Sequence, residues 1–547
     1  MKKNAIISLL TASLIPLSLT SCKLRKFSDL KSSKDKTATE SASEKTTSGS
    51  AVTSKAEAPD TEEIRSHVKE LLDNIELSDN EKKVRENIDT LVYDIDACKE
   101  ALTLITIDYY SDWQNKKLGK KYDSVYENLY VANYFVNYAF AHGYKSKEYS
   151  ELFAPYITNE ESIESLTDPY MTLRRLEGYA KVDYEVMDER IDEYYEIISD
   201  DDLSNDEKNI KCAELYLDVL TGYEPETFYE IYNRDYTPDK IIELSKCVKK
   251  EILPAADKLA DALVNSDSVE DILTDDTAFE NPFQTILEYS AQLSPEIEAS
   301  AKQLNDEKLF TITDDENCYT GSFTDTLPVS DKAFIYIFNN GGYHSISTPV
   351  HEFGHFYASS YDDTPVISSI MNIDIAEVQS QGFEFIFSRF YDDIFQDNAE
   401  AMHAVKTCDM LDAVLSGFFI GEFEYTVLKN RDTFTPEDVV DCFHDIMDDY
   451  NEDIEFYFIP HIFEQPGYYI SYGVSALAAF DIWQDCLDAP DKALEKYEKI
   501  AHVPSSSVST TFSKALKECG FSDVLNKKYI EALADEINGY VKALDLE

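Results

Sequence analysis

The sequence predicts a mainly α protein built as two helical lobes, with one small β-sheet. Three observations carry this expectation. Long stretches repeat apolar residues at three-to-four spacing with Asp, Glu and Lys between them, the pattern of amphipathic helices. One run, Ala333-Phe334-Ile335-Tyr336-Ile337-Phe338, is instead β-branched and aromatic and reads as a strand. The helical part, about 490 residues, exceeds what a single small core holds, so two lobes follow.

The chain opens with Lys2 and Lys3, then an apolar stretch over 5–19 that is too short for a comfortable membrane span. It ends in Leu19-Thr20-Ser21-Cys22, which resembles a bacterial lipobox. In that pattern the cysteine is lipidated and becomes the mature N-terminus. Residues 1–22 are therefore expected to be a lipoprotein signal, with Cys22 as the anchor to the bacterial cell membrane. Residues 23–59 are rich in Ser, Thr, Lys and Ala and bury too little apolar surface to order themselves, so they read as a flexible tether. The exported body then spans 60–547. Its helices are expected over 61–74, 80–111, 206–220, 239–264 and 524–544, with a lobe boundary near 315–330 and the chemistry in about 320–547.

Charge is unevenly spread. Residues 1–59 carry ten Lys/Arg against five Asp/Glu, which leaves −62 of the chain's −57 on residues 60–547. Such a body repels nucleic acid and anionic lipid, so no nucleic-acid partner is expected. Beyond Cys22 the eight cysteines are scattered without a C-x-x-C pair and read as core residues, not as a second metal site.

After the strand, Asn339-Asn340-Gly341-Gly342 signals a turn, and 345–360 reads as a helix ending before Asp362-Asp363-Thr364-Pro365. That helix carries His351-Glu352-Phe353-Gly354-His355, an H-E-x-x-H run. With only 9 His in 547 residues, a chance match is expected about 0.01 times per chain. Residues four apart share a helix face, so both imidazoles reach one metal ion. Catalytic Zn²⁺ takes three protein ligands and keeps a fourth position open for water. Glu352, about 100° around the helix from His351, is placed as general base. A third ligand is expected from the helical segment 373–390, where Glu377 follows His355 by 22 residues. Asp374 and Glu384 lie on roughly the same face, where either can accept the free N–H of a ligating histidine. The expected cofactor is one Zn²⁺ per chain.

Asp374, Glu377, Ser380 and Glu384 downstream of His351-Glu352-Phe353-Gly354-His355 resemble the thimet oligopeptidase and oligoendopeptidase F family of zinc peptidases. The stretch from Phe334 to Tyr343, running into Thr348-Pro349-Val350-His351, is closer to the oligoendopeptidase F branch. A third block is also similar: Ile459-Pro460-His461, then Gly467-Tyr468-Tyr469-Ile470-Ser471-Tyr472. The resemblance implies His351, His355 and Glu377 as zinc ligands, Glu352 as base, and His461, Tyr469 and Tyr472 as transition-state donors. It also implies lobes flanking a deep substrate channel, with the small sheet beside the zinc-binding helix. The strand ending near Phe338 would form the channel edge and pair with extended substrate, making Gly341 and Gly342 substrate-binding candidates. The chain departs from the family at Phe356, at Phe383, and in one extra residue between His461 and the tyrosines.

The function expected is therefore hydrolysis of short peptides outside the cytoplasm. A related zinc carboxypeptidase is the alternative, which needs a cationic subsite near the motif, where only Arg389 is close in sequence. A peptide-binding lipoprotein without catalysis is the other, and it has no use for Glu352.

Overall fold

The computed structural model describes residues 58–544, apart from 78–79, 265, 267–268, 270–280, 316, 371 and 451–453. The signal segment, Cys22 and nearly all of the tether lie outside the described residues. The body is mainly helical with one three-stranded sheet. No described helix is long and apolar enough to cross a membrane.

Helices α1 (Thr61–Ile75), α2 (Glu81–Tyr110) and α3 (Lys116–Lys145) build the first core. Asp60 caps α1 by accepting from the backbone N–H groups of Glu62 and Glu63, each at 3.0 Å. Ile64, Val68 and Leu71 of α1 recur every three to four residues, and they bury against Ile88, Leu91 and Ile95 of α2 and Phe135 and Phe140 of α3.

Helix α4 (Leu173–Ser199) passes from this core to the second. Leu176 and Ala180 belong to the first cluster, whereas Ile191, Tyr194, Tyr195 and Ile198 belong to the second, which extends to Ile537. The two largest cores thus part within α4. At the sheet, Leu327, Phe334, Ile335 and Ile337 enter the second core, whereas Phe323 and Tyr336 cluster with Tyr110, Trp113 and Tyr319.

Strands β1 (Phe310–Thr313), β2 (Phe323–Leu327) and β3 (Lys332–Phe338) form a sheet of order β1-β3-β2. β3 pairs parallel with β1, Phe310 opposite Ile335, and antiparallel with β2, Phe323 opposite Tyr336. The strand expected at a channel edge is therefore the central one. Its five successive buried residues, Ala333 to Ile337, suit a strand covered on both faces. Its ladder groups are committed to β1 and β2, so β3 does not offer the pairing edge assigned to it.

Four helices hold the site: α5 (His344–Ser359), α6 (Ile373–Ser388), α7 (Ala399–Asn430) and α8 (Ile470–Asp488). α6 packs on both α5 and α8, and α7 packs on α8. Phe383 lies between Phe353 and Tyr497, with ring centroids at 5.1 and 5.5 Å, so both phenylalanine departures, Phe356 included, are buried core residues. The eight cysteines within the described residues are free thiols, six of them buried.

Candidate metal centre

The α5 helix sets the imidazole rings of His351 and His355 with centroids 5.0 Å apart. Gly354 between them lets α6 come close, since a Cβ there would meet the Ser380 Cα at 2.7 Å and the Gln379 carbonyl at 2.9 Å. That approach delivers Glu377. Its Oε2 lies 3.5 Å from His351 Nε2 and its Oε1 3.9 Å from His355 Nε2. One ligand atom from each residue lies within 4.8 Å of the others.

The chemistry of this set fits Zn²⁺. His351 Nε2 and His355 Nε2 are buried and have no hydrogen-bond partner, an arrangement that costs free energy unless a cation takes the lone pairs. His351 Nδ1 lies 2.9 Å from Glu384 Oε1, so the proton sits on Nδ1 and Nε2 points inward as a ligand atom. Two imidazole nitrogens and one carboxylate are a donor set that zinc accepts in catalytic sites.

Burial works against a charged His351, but the hydrogen bond and charge of Glu384, with Glu377 and Glu352 nearby, lift it to about 9. Burial and the neighbouring His351 hold His355 well below the usual imidazole range. Burial raises Glu377 to about 7 despite the opposing pull of His351.

Glu384 is itself anchored. Buried Lys406 of α7 pairs with its Oε2 and, at 2.7 Å, with Asp409, whose Oδ2 also accepts from the Tyr343 hydroxyl at 3.2 Å. Asp374 is different, and the expectation that it serves a ligating histidine is corrected. Its oxygens accept from Arg234 Nε at 3.2 and 3.3 Å, from the Ser471 hydroxyl at 2.6 Å and from the Tyr236 hydroxyl at 2.7 Å. Asp374 precedes Glu377 by almost one turn and faces α8, not the imidazoles.

Glu352 is fully buried. The Thr324 hydroxyl of β2 lies 2.7 Å from its Oε2 and 3.0 Å from its backbone carbonyl, while its Oε1 has no hydrogen-bond partner. Burial raises its pKa to about 7, against the pull of His351 and Thr324. A carboxylate poised there suits proton abstraction near neutral pH.

The aromatic block gathers around His461. The His461 ring is 5.5 Å from those of Tyr468 and Tyr469 and 6.2 Å from that of Tyr472. Burial lowers His461 to about 4, and its Nε2 has no hydrogen-bond partner. Burial also holds Tyr472 well above the usual phenol range, aided by Tyr468, to which it is hydrogen-bonded, and by the charge of Glu377. Tyr469 caps α8 instead of lying within it, and the charge acting on it is that of Asp412. Both neighbours pack on Tyr472, with ring centroids at 5.4 Å for Tyr468 and 5.3 Å for Tyr469, and Tyr468 is its hydrogen-bond partner.

Gly341 and Gly342 have φ of 75° and 51°, as a tight turn before α5 requires. The Gly341 N–H donates to Asn339 Oδ1 at 3.0 Å and the Gly342 carbonyl accepts from the Ser345 hydroxyl at 2.7 Å. Space is open beside Gly341, where an added Cβ would meet nothing within 4 Å.

No protein-family model matches the sequence, and no curated protein matches it. Solved structures do match the fold. A PZ peptidase A bound to an inhibitor superposes with TM-score 0.73 at 16% identity, over 89% of this chain and 98% of that one. A protein of Bacillus anthracis assigned as oligoendopeptidase F gives 0.70 at 15% identity, over 91% and 99%. Metallocarboxypeptidase 1 of Trypanosoma cruzi gives 0.54 at 11% identity, over 86% and 99%. The chain shares their fold.

Sequence reasoning missed Thr324, Lys406 and Arg234. Thr324 sits on a five-residue strand with no period to read. Lys406 left a signal, being a lone buried cation in the apolar run from Ala401 to Leu415. Arg234 stands among Tyr229, Tyr232 and Tyr236, an aromatic setting that is unusual for a solvated arginine.

Proposed function

We propose that the chain is a zinc-dependent endopeptidase of the oligoendopeptidase F type that hydrolyses short peptides. The observation that carries this is the cluster of buried His351 and Glu377 with half-buried His355, with the unpartnered Oε1 of Glu352 beside it. When bound, Zn²⁺ would polarise a peptide carbonyl and acidify a water. The protein does the rest. Glu352 accepts the proton of the attacking water and returns it to the leaving amine. Thr324 fixes the carboxylate. Tyr472 and His461 donate to the tetrahedral oxyanion, with Tyr469 as a further donor. Gly341 and Gly342 give the substrate room at the turn.

Carboxypeptidase action needs a free cation for the substrate's terminal carboxylate. The buried cations beside this site are spent: Arg234 on Asp374 and Lys406 on Glu384 and Asp409. A quenched-fluorescence peptide blocked at both termini tests the reading. It should be cut, cutting should stop with a chelator, and zinc should restore it. A blocked peptide left intact while a free C-terminus is trimmed would favour the carboxypeptidase.

Glu384→Gln should weaken zinc binding about 10–100-fold, the usual cost of removing a group that orients a ligating histidine. Competition against a chromophoric chelator measures this, and unchanged affinity would show that His351 is oriented without Glu384.

The proposed place of action is extracytoplasmic, with Cys22 as the lipid anchor. Detergent phase partitioning of full-length protein and Cys22→Ala is the check. Wild type should follow the detergent and the variant the aqueous phase; an aqueous wild type counts against anchoring.

A further inference from the structure

We infer that Arg234 is the positioning residue that sets the distance between the metal-ligand helix and the oxyanion donors. The inference rests on the proposed roles of Glu377, His461 and Tyr472. Arg234 follows Asn233, whose φ of 52° turns the chain inward, and its guanidinium is fully buried between the rings of Tyr229 and Tyr232, at 4.5 and 4.4 Å.

Its donors are divided among three chain segments. Nε reaches Asp374 in the first turn of α6, one turn before Glu377. Nη1 donates to the Gly467 carbonyl at 2.7 Å, in the loop joining His461 to the tyrosines. Nη2 donates at 2.6 Å to the Ser471 hydroxyl on α8, between Tyr469 and Tyr472. Ser471 closes the ring by donating to Asp374.

Two further bonds stiffen the loop end of this clamp. The Gly467 N–H donates to Glu424 of α7 at 2.7 Å, and the Tyr232 hydroxyl donates to the Pro466 carbonyl at 2.8 Å. Gly467 itself has φ of 82°, and a Cβ there would come within 3.0 Å of Phe228. One planar fork thus ties Glu377's helix to both carriers of the oxyanion donors. A lysine cannot reproduce this, because its ammonium is a single point charge without a fork.

That difference supplies the test. Arg234→Lys keeps a charge for Asp374, so the buried carboxylate is not stranded and the protein stays folded. It loses the simultaneous hold on Gly467 and Ser471. A misplacement near 1 Å costs about 10²-fold in rate. The variant should therefore lose about 10² in kcat on the blocked peptide, with KM and zinc affinity within about threefold of wild type. Adding Tyr472→Phe to it should cost at most about tenfold more, far less than the about 10²–10³ that change costs alone, because both changes remove one interaction.

A second measurement does not need turnover: affinity for a phosphinic peptide, which mimics the tetrahedral oxyanion, against affinity for the parent peptide. Arg234→Lys should weaken only the former. Overturning results are kcat near wild type, additive losses in the double variant, equal weakening of both ligands, or a loss that follows the zinc-free or unfolded fraction. Failure of the wild type to cut the blocked peptide would instead strike the endopeptidase reading, and the two affinities would still judge Arg234.

Discussion

Replacing Glu352 by Gln is expected to leave zinc content unchanged and to lower kcat by at least about 10³-fold. Glu352 is not among the three clustered ligand residues, so its loss takes no donor from the metal. Gln is nearly isosteric, and its carbonyl can still accept from Thr324 as Glu352 Oε2 does at 2.7 Å. Packing and position therefore survive. What goes is the basic oxygen: an amide takes no proton from the attacking water and returns none to the leaving amine. The unpartnered Oε1 and a pKa raised to about 7 mark this carboxylate as the group poised for that transfer. Steady-state kinetics on the blocked peptide, with zinc measured on the same sample, give the answer. A zinc-replete Glu352→Gln variant with near-normal kcat would place the base elsewhere.

The parts of this molecule that were legible in the sequence are those set by local spacing. An i, i+4 histidine pair needs only a helix to bring its rings together, and α5 begins and ends within a residue of the expected span. The helices expected over 61–74, 80–111 and 206–220 are likewise found at Thr61–Ile75, Glu81–Tyr110 and Asn205–Leu220. The last helix starts at Lys527 and not at 524, because Asn526 caps it by accepting from the Lys528 N–H at 3.0 Å.

Partners fixed by tertiary contact were not legible. Asp374 lies 140 residues from Arg234 and 97 from Ser471. Nothing in a helical period distinguishes a carboxylate facing an imidazole from one facing a buried guanidinium. The small sheet lies beside the zinc-motif helix as expected, but its strand order was not legible, for a different reason. β1 and β2 are four and five residues long, and a run that short has too few alternations to stand apart from loop. Without them β3 has no visible neighbours in the sequence, and nothing there corrects the edge position expected for it. The sheet's contacts with both parts of the chain, Phe323 and Tyr336 with Tyr110 and Trp113 and Phe334, Ile335 and Ile337 with the larger core, were equally beyond local spacing.

Tyr472→Phe is expected to lower kcat by about 10²–10³, or roughly 3–4 kcal/mol, with KM within a few fold of wild type. The ring is fully buried and keeps its packing against Tyr468 and Tyr469, with centroids at 5.4 and 5.3 Å. Only the hydroxyl is lost. Its pKa stands well above the usual phenol range, so it is a neutral donor throughout the working pH range, as an oxyanion requires. The charge of Glu377, one of the three clustered ligand residues, acts on it, whereas the charge acting on Tyr469 is that of Asp412. Tyr468→Phe separates donation from orientation. It removes the hydrogen-bond partner of Tyr472, a neutral interaction worth about 1 kcal/mol, so a loss near fivefold is expected. If Tyr468→Phe proves the more damaging change and Tyr472→Phe is silent, the oxyanion donor is Tyr468. The hydrogen bond between them then runs in the service of Tyr468, and the clamp on Ser471 positions the wrong ring.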